Sequence, residues 1–130
     1  GNTSSGVRGH FSSTVFANGS TFSNNGSYGI TAEYTSSLYC NSCTADGNVY
    51  GAGTHWSSSM FSSGFDITNN TNSGFYAAGS SGSYLKNATI SGNGGHGIST
   101  SNGSFIAESG MTYSGNGASN IYTETGSITD

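Results

Sequence analysis

The chain has 130 residues, only two of them basic and six acidic, for a formal net charge of −4 at pH 7; phosphate recognition needs clustered Lys and Arg, so nucleic acid is excluded as an expected partner. No apolar run approaches the ~20 residues that span a bilayer and no charged-then-apolar leader opens the chain, so no membrane insertion is expected. Twenty-two glycines without a proline exclude collagen triplets, and although Leu, Ile, Val and Phe total only 19 residues, the low charge argues against disorder.

In chain order the first apolar station is Val7, after Gly6; the pair Val15-Phe16 follows, then Ser20 and Phe22, two residues apart and so on one strand face. The cycle restarts at Ile30 with Leu38-Tyr39, then Cys43 and Ala45. A third cycle shows Met60-Phe61, then Phe65 and Ile67. The fourth runs Phe75, Tyr84-Leu85, then Ala88 and Ile90, and the fifth Ile98, Phe105-Ile106, then Met111 and Tyr113. A sixth begins at Ile121 and reaches Ser127-Ile128.

Between the third station and the next first station lie the ten-residue strings TFSNNGSYGI (21–30), DITNNTNSGF (66–75), TISGNGGHGI (89–98) and TYSGNGASNI (112–121). They carry a column of asparagines, Asn25, Asn48, Asn70, Asn93 and Asn116, spaced 23, 22, 23 and 23. Stations of two to five residues between Gly, Ser and Asn corners are too short for helices and predict strands. Three strands per ~23-residue turn predict an all-β, right-handed, single-stranded parallel β-helix: one segment over 1–130, under six rungs, roughly 27 Å long at the ~4.8 Å strand spacing. Such a narrow core needs few inward side chains. The asparagines are expected to form a corner ladder of side-chain amides.

These rungs, SGNGGHGI in particular, resemble the parallel β-helix repeats of the pectate-lyase-like superfamily, and are most similar to those of bacteriophage tailspikes and tail fibres. The resemblance runs from about Gly6 to Ile128. It implies a homotrimeric, extracellular appendage on a virion or cell surface, structural or engaged with host-surface polysaccharide. The absence of a visible cap at either end leads to the expectation that the chain is a fragment of a longer one, since a β-helix must cover its end edges.

No phosphate cradle, dinucleotide turn or nucleophile with an evident base appears, so no cofactor and no metal are expected, and most enzyme classes lack a site. Cys40 and Cys43, in CNSC, are expected as two small buried thiols. Asp46 and Asp66 should face outward on consecutive rungs, offset by two residues, roughly 8 Å apart at Cβ from strand geometry. That falls within the ~6.5–9.5 Å separation of an inverting glycosidase pair, so a polysaccharide depolymerase would use them as acid and base. Glu33, near His55 on the next rung, is a weaker candidate. On the same outward face as the aspartates, Thr21, Thr44, Asp66, Thr89 and Thr112, with Ser23, Asp46, Thr68, Ser91 and Ser114, form a T-x-S array that resembles an ice-binding plane; the plainer reading is that Thr favours exposed strands. Outward Tyr28, Tyr76, Tyr122 and Trp56 are candidate carbohydrate-binding residues, or subunit contacts. The N-x-S/T triplets at Asn18 and Asn87 are expected by chance in so Asn- and Ser-rich a chain.

Overall fold

The computed structural model of the protein describes residues 1–129. Its strands are β1 (Val7–His10), β2 (Thr14–Phe16), β3 (Thr21–Ser23), β4 (Tyr28–Glu33), β5 (Ser37–Tyr39), β6 (Thr44–Asp46), β7 (Tyr50–His55), β8 (Ser59–Ser63) and β9 (Asp66–Thr68). They continue with β10 (Phe75–Ala78), β11 (Gly82–Lys86), β12 (Thr89–Ser91), β13 (Ile98–Thr100), β14 (Phe105–Ser109), β15 (Thr112–Ser114), β16 (Ile121–Thr123) and β17 (Ser127–Thr129). No helix interrupts them among the described residues.

Every third strand pairs in parallel with its counterpart one turn away. The first sheet runs β1-β4-β7-β10-β13-β16, the second β2-β5-β8-β11-β14-β17 and the third β3-β6-β9-β12-β15. The result is a β-solenoid of about five turns. Its register follows the repeat: Val7 stands beside Ile30, Phe75 beside Ile98, and Ile98 beside Ile121. Ala52 fills the place between Ile30 and Phe75, a residue too small to stand out in the apolar pattern.

Inside, Ile30, Leu38, Ala45, Met60, Phe65, Ile67, Phe75, Leu85, Ile90, Ile98 and Ile106 are all fully buried. Such a core contributes roughly 1.5–3 kcal/mol for each large side chain withdrawn from water. The third-sheet columns lie as expected, with Phe22, Ala45, Ile67 and Ile90 in one file and Cys43, Phe65 and Ala88 in the other.

The asparagine ladder is present. Asn25 Nδ2 donates to Asn48 Oδ1 at 2.8 Å, Asn48 to Asn70 at 3.2 Å, Asn70 to Asn93 at 2.9 Å and Asn93 to Asn116 at 2.9 Å. Each Nδ2 of Asn48, Asn70, Asn93 and Asn116 also donates to a backbone carbonyl on the preceding turn, that of Phe22, Ala45, Ile67 or Ile90. Buried amides thus satisfy one another and the corner, which removes the cost of desolvating them. A second, serine ladder stands at the corner between the first and second sheets: Ser36 N donates to Ser58 Oγ at 3.1 Å and Ser81 N to Ser104 Oγ at 3.2 Å.

Two expectations are corrected. Cys40 and Cys43 are buried but joined as a disulfide rather than lying as two thiols, because the corner between the second and third sheets brings their Cα atoms to 5.7 Å. And Tyr84-Leu85 is one residue out of phase with the pairs before it: Met60 stands beside Ser83, Phe61 beside Tyr84 and Ser62 beside Leu85. Leu85 is buried all the same, two residues further along the inward face.

Candidate functional site

Strand parity sends the second residue of Val15-Phe16, Leu38-Tyr39 and Met60-Phe61 outward. Phe16, Tyr39, Phe61, Tyr84 and Ala107 therefore form a file across the outer face of the second sheet. Phe16 and Tyr39 stack at 4.9 Å between ring centroids, and Tyr39 and Phe61 at 5.4 Å. A second file stands at the corner just before this sheet, where Phe11 stacks on Tyr34 at 5.1 Å and Tyr34 on Trp56 at 4.5 Å, interplanar 11°. These three aromatic residues adopt left-handed backbone, φ 51°, 53° and 52°, a region that bulky side chains rarely enter. The corner thus spends conformational energy to lift three rings off the rod. They are well exposed, Phe11 by 71% and Trp56 by 51%. Between the files lies a strip of hydroxyls: Ser12 and Thr35 are 2.9 Å apart at their oxygens, and Ser37 and Ser59 3.2 Å.

On the first sheet a polar cluster adjoins this side. Glu33 stands in register with His10 and His55 on the flanking strands. Its carboxylate lies 3.5 Å from Arg8 Nε and 3.7 Å from His10 Nε2. His55 is packed edge-on to Tyr28 at 5.2 Å and Tyr76 at 5.5 Å, beside Trp56 at 5.7 Å, and its buried Nε2 has no hydrogen-bond partner among the described residues. Burial, and secondarily the Arg8 charge, lower its pKa to about 4. Burial, with the Tyr50 hydroxyl as the next cause, pushes the Tyr28 phenol well above its ordinary value. Gly53 makes this packing possible, since a Cβ there would come within 2.6 Å of the Tyr28 ring and 3.1 Å of His55 Nε2. Among the described residues no three His, Cys, Asp or Glu side chains are placed to hold a metal ion.

On the third sheet the T-x-S array is in register over five strands: Thr21, Thr44, Asp66, Thr89 and Thr112 form one file, and Ser23, Asp46, Thr68, Ser91 and Ser114 the other. Asp46 and Asp66 lie on adjacent strands, two residues apart in register, on the outer face. Asp46 Oδ1 accepts hydrogen bonds from Thr68 Oγ1 and Asn69 Nδ2, both at 2.8 Å, whereas Asp66 is exposed.

Of the four aromatic candidates, Tyr28, Tyr76 and Trp56 come together around His55. Tyr122 stands two strands further on, stacked on His96 at 4.5 Å. Phe11, Phe16, Tyr34, Tyr39, Phe61, Tyr84 and Phe105 were not singled out from the sequence as surface residues. The signal was present: an aromatic recurs as the second member of three successive apolar pairs, one step of parity away from the core. No family model matches the chain, and no curated protein or solved structure matches it either.

Proposed function

We propose that the chain is a rod-shaped segment of an extracellular appendage, of the tailspike or tail-fibre kind, that binds host-surface polysaccharide along its second-sheet side. One observation carries this reading. Among the described residues, seven of the nine exposed large hydrophobic side chains, Phe11, Phe16, Tyr34, Trp56, Phe61, Tyr84 and Phe105, belong to that one side. An apolar patch of that kind marks an interaction surface, and aromatic rims interleaved with hydroxyls suit a ligand with both C–H faces and hydroxyls. The Cys40–Cys43 disulfide supports an oxidising, extracellular setting. The likeness of the rungs to those of tailspikes supports a homotrimeric parent.

Trp56 is the only tryptophan and sits in the corner file, so its emission is a built-in probe. Titration with capsule or O-antigen polysaccharide from candidate hosts should give a saturable change in emission, weakened at least tenfold by Tyr34→Ala. Unchanged emission together with no retardation in polysaccharide-containing gels would overturn the reading. Sedimentation of the intact parent should give a trimer, and a stable monomer would remove that part of it. If the segment also cleaves its ligand, new reducing ends should disappear in the double variant Asp46→Asn, Asp66→Asn.

A second reading, ice binding, is favoured by the in-register T-x-S plane of the third sheet. Shaped or arrested ice crystals in the presence of the protein would support it; free growth would remove it.

A further inference from the structure

We propose that the corner Gly79-Ser80-Ser81-Gly82 is a slot for a neutral pyranose ring, stacked on the open face of Trp56; this rests on the polysaccharide-binding reading and names the site and ligand class. In the corner file the place after Phe11, Tyr34 and Trp56 is taken by Gly79, with the same left-handed backbone, φ 65°, and the place after that by Asn102, φ 52°. A Cβ on Gly79 would lie 3.2 Å from Trp56 Cδ1. The ladder of rings therefore stops at Trp56, and Gly79 puts no side chain over its forward face.

Three residues on, the second-sheet file Thr14, Ser37, Ser59, Gly82, Phe105 is interrupted at the same turn. A Cβ on Gly82 would meet nothing within 4 Å. That space is an apolar notch lined by Phe61, Ser83, Tyr84, Phe105 and Ala107. Between the two gaps, Ser81 is turned in and tied down, its Oγ donating to the Ala78 carbonyl at 2.7 Å. The two glycines are separated by at most ~10 Å of chain, so one disaccharide can reach both gaps.

Within the files the stacked pairs cover one another's facing sides. Trp56 is about half exposed, and the next place in its file carries no side chain. From the Trp56 turn to the Asn102 turn is two strand spacings, ~9.6 Å, which leaves room for one ring at the level of the side chains. No charged side chain among the described residues lines the notch, so the occupant is neutral: its C–H face lies on Trp56 and its hydroxyls meet Ser80 and Asn102.

The test is the variant Gly82→Leu, which fills the notch from a position that has room for a side chain, compared with Ser91→Ala on the outer face of the third sheet, away from the proposed binding side. Both should keep the melting temperature within a few degrees. Binding of neutral O-antigen polysaccharides, followed by Trp56 emission and gel retardation with alginate as the anionic comparator, should weaken at least tenfold in Gly82→Leu and less than twofold in Ser91→Ala, with alginate bound poorly by all. If neutral polysaccharide binds but Gly82→Leu is silent, the slot is wrong and the wider reading stands. If no polysaccharide binds the unaltered protein, both fall. If Gly82→Leu instead abolishes self-association in sedimentation, the occupant is a second copy and the sugar slot is overturned.

Discussion

The outer faces of the second and third sheets rest on the same kind of scaffold and share nothing else. Beneath both, apolar columns repeat every 22 or 23 residues and are buried. Above the second, rings stack in files with hydroxyls between them; above the third lies a plane of Thr, Ser and two Asp. The difference teaches that in a solenoid the inward positions are committed to stacking turn on turn, while the outward positions are released from it. Likeness between turns therefore reports the fold. Departures from likeness, such as the glycines at 79 and 82 or the aspartates at 46 and 66, are where a use can be written.

The comparison breaks most completely from the inside. Ile98 has neighbours in register on both sides, Phe75 and Ile121, and is fully buried. Ile98→Asp puts a carboxylate into a water-free column, a cost of several kcal/mol against a typical total stability of ~5–15 kcal/mol. Insoluble expression, or a melting temperature lowered by ten degrees or more, is expected, with both outer faces lost together. A soluble Ile98→Asp variant as heat-stable as the parent would refute the column assignment.

Acid should act on the aromatic side. In the folded chain His55 holds its pKa at about 4, against about 6.5 unfolded, so the native state resists a proton that the unfolded state accepts. Stability is then fully present above pH 6.5 and declines as pH falls towards 4, by up to a few kcal/mol. The groups around His55 are Tyr28, Tyr76 and Trp56, with Glu33 beside it in register and Arg8 and His10 on the far side of Glu33. His55→Gln should flatten this part of the melting curve against pH. An unchanged slope between pH 6.5 and 4 in that variant would assign the dependence to another group.

How much of this was legible depended on parity. The inward columns and the asparagine ladder could be read because each is a residue type at a fixed period. An apolar pair such as Met60-Phe61 shows that a strand is present but not which member faces the core, and a one-residue slip exchanges the faces. That is why the second-sheet file escapes a reading of the sequence and Tyr84-Leu85 falls out of phase, whereas Phe11, Tyr34 and Trp56, spaced 23 and 22, carry a period that could have been read. The disulfide was missed for a related reason. Spacing placed Cys40 near one column and Cys43 in another, but only the bend of the chain between the sheets brings the two together. Closing so short a loop contributes about 2 kcal/mol by chain entropy. Cys40→Ser with Cys43→Ala, which copy Ser62 and Ala88 of later turns, should lower the melting temperature by several degrees without changing polysaccharide affinity.

The smallest effect on stability is expected on the hydroxyl face, and it is the one that separates the two sheets' uses. Asp66 is exposed and Asp46 is tied to Thr68 and Asn69, so replacing both by Thr exchanges two hydrogen bonds near the surface for bonds to solvent or to the new hydroxyl, a change of about 1–2 kcal/mol. The double variant Asp46→Thr, Asp66→Thr completes an uncharged array over five strands. If the third sheet binds ice, removing two hydrated charges from its centre should strengthen crystal shaping, because the plane then presents one repeat without interruption. If the protein works through its second sheet, polysaccharide binding should be unaltered and ice growth unaffected, because the two faces share a core but no outward side chain. A loss of polysaccharide binding in this variant would place the ligand on the third sheet and overturn the assignment of the aromatic side.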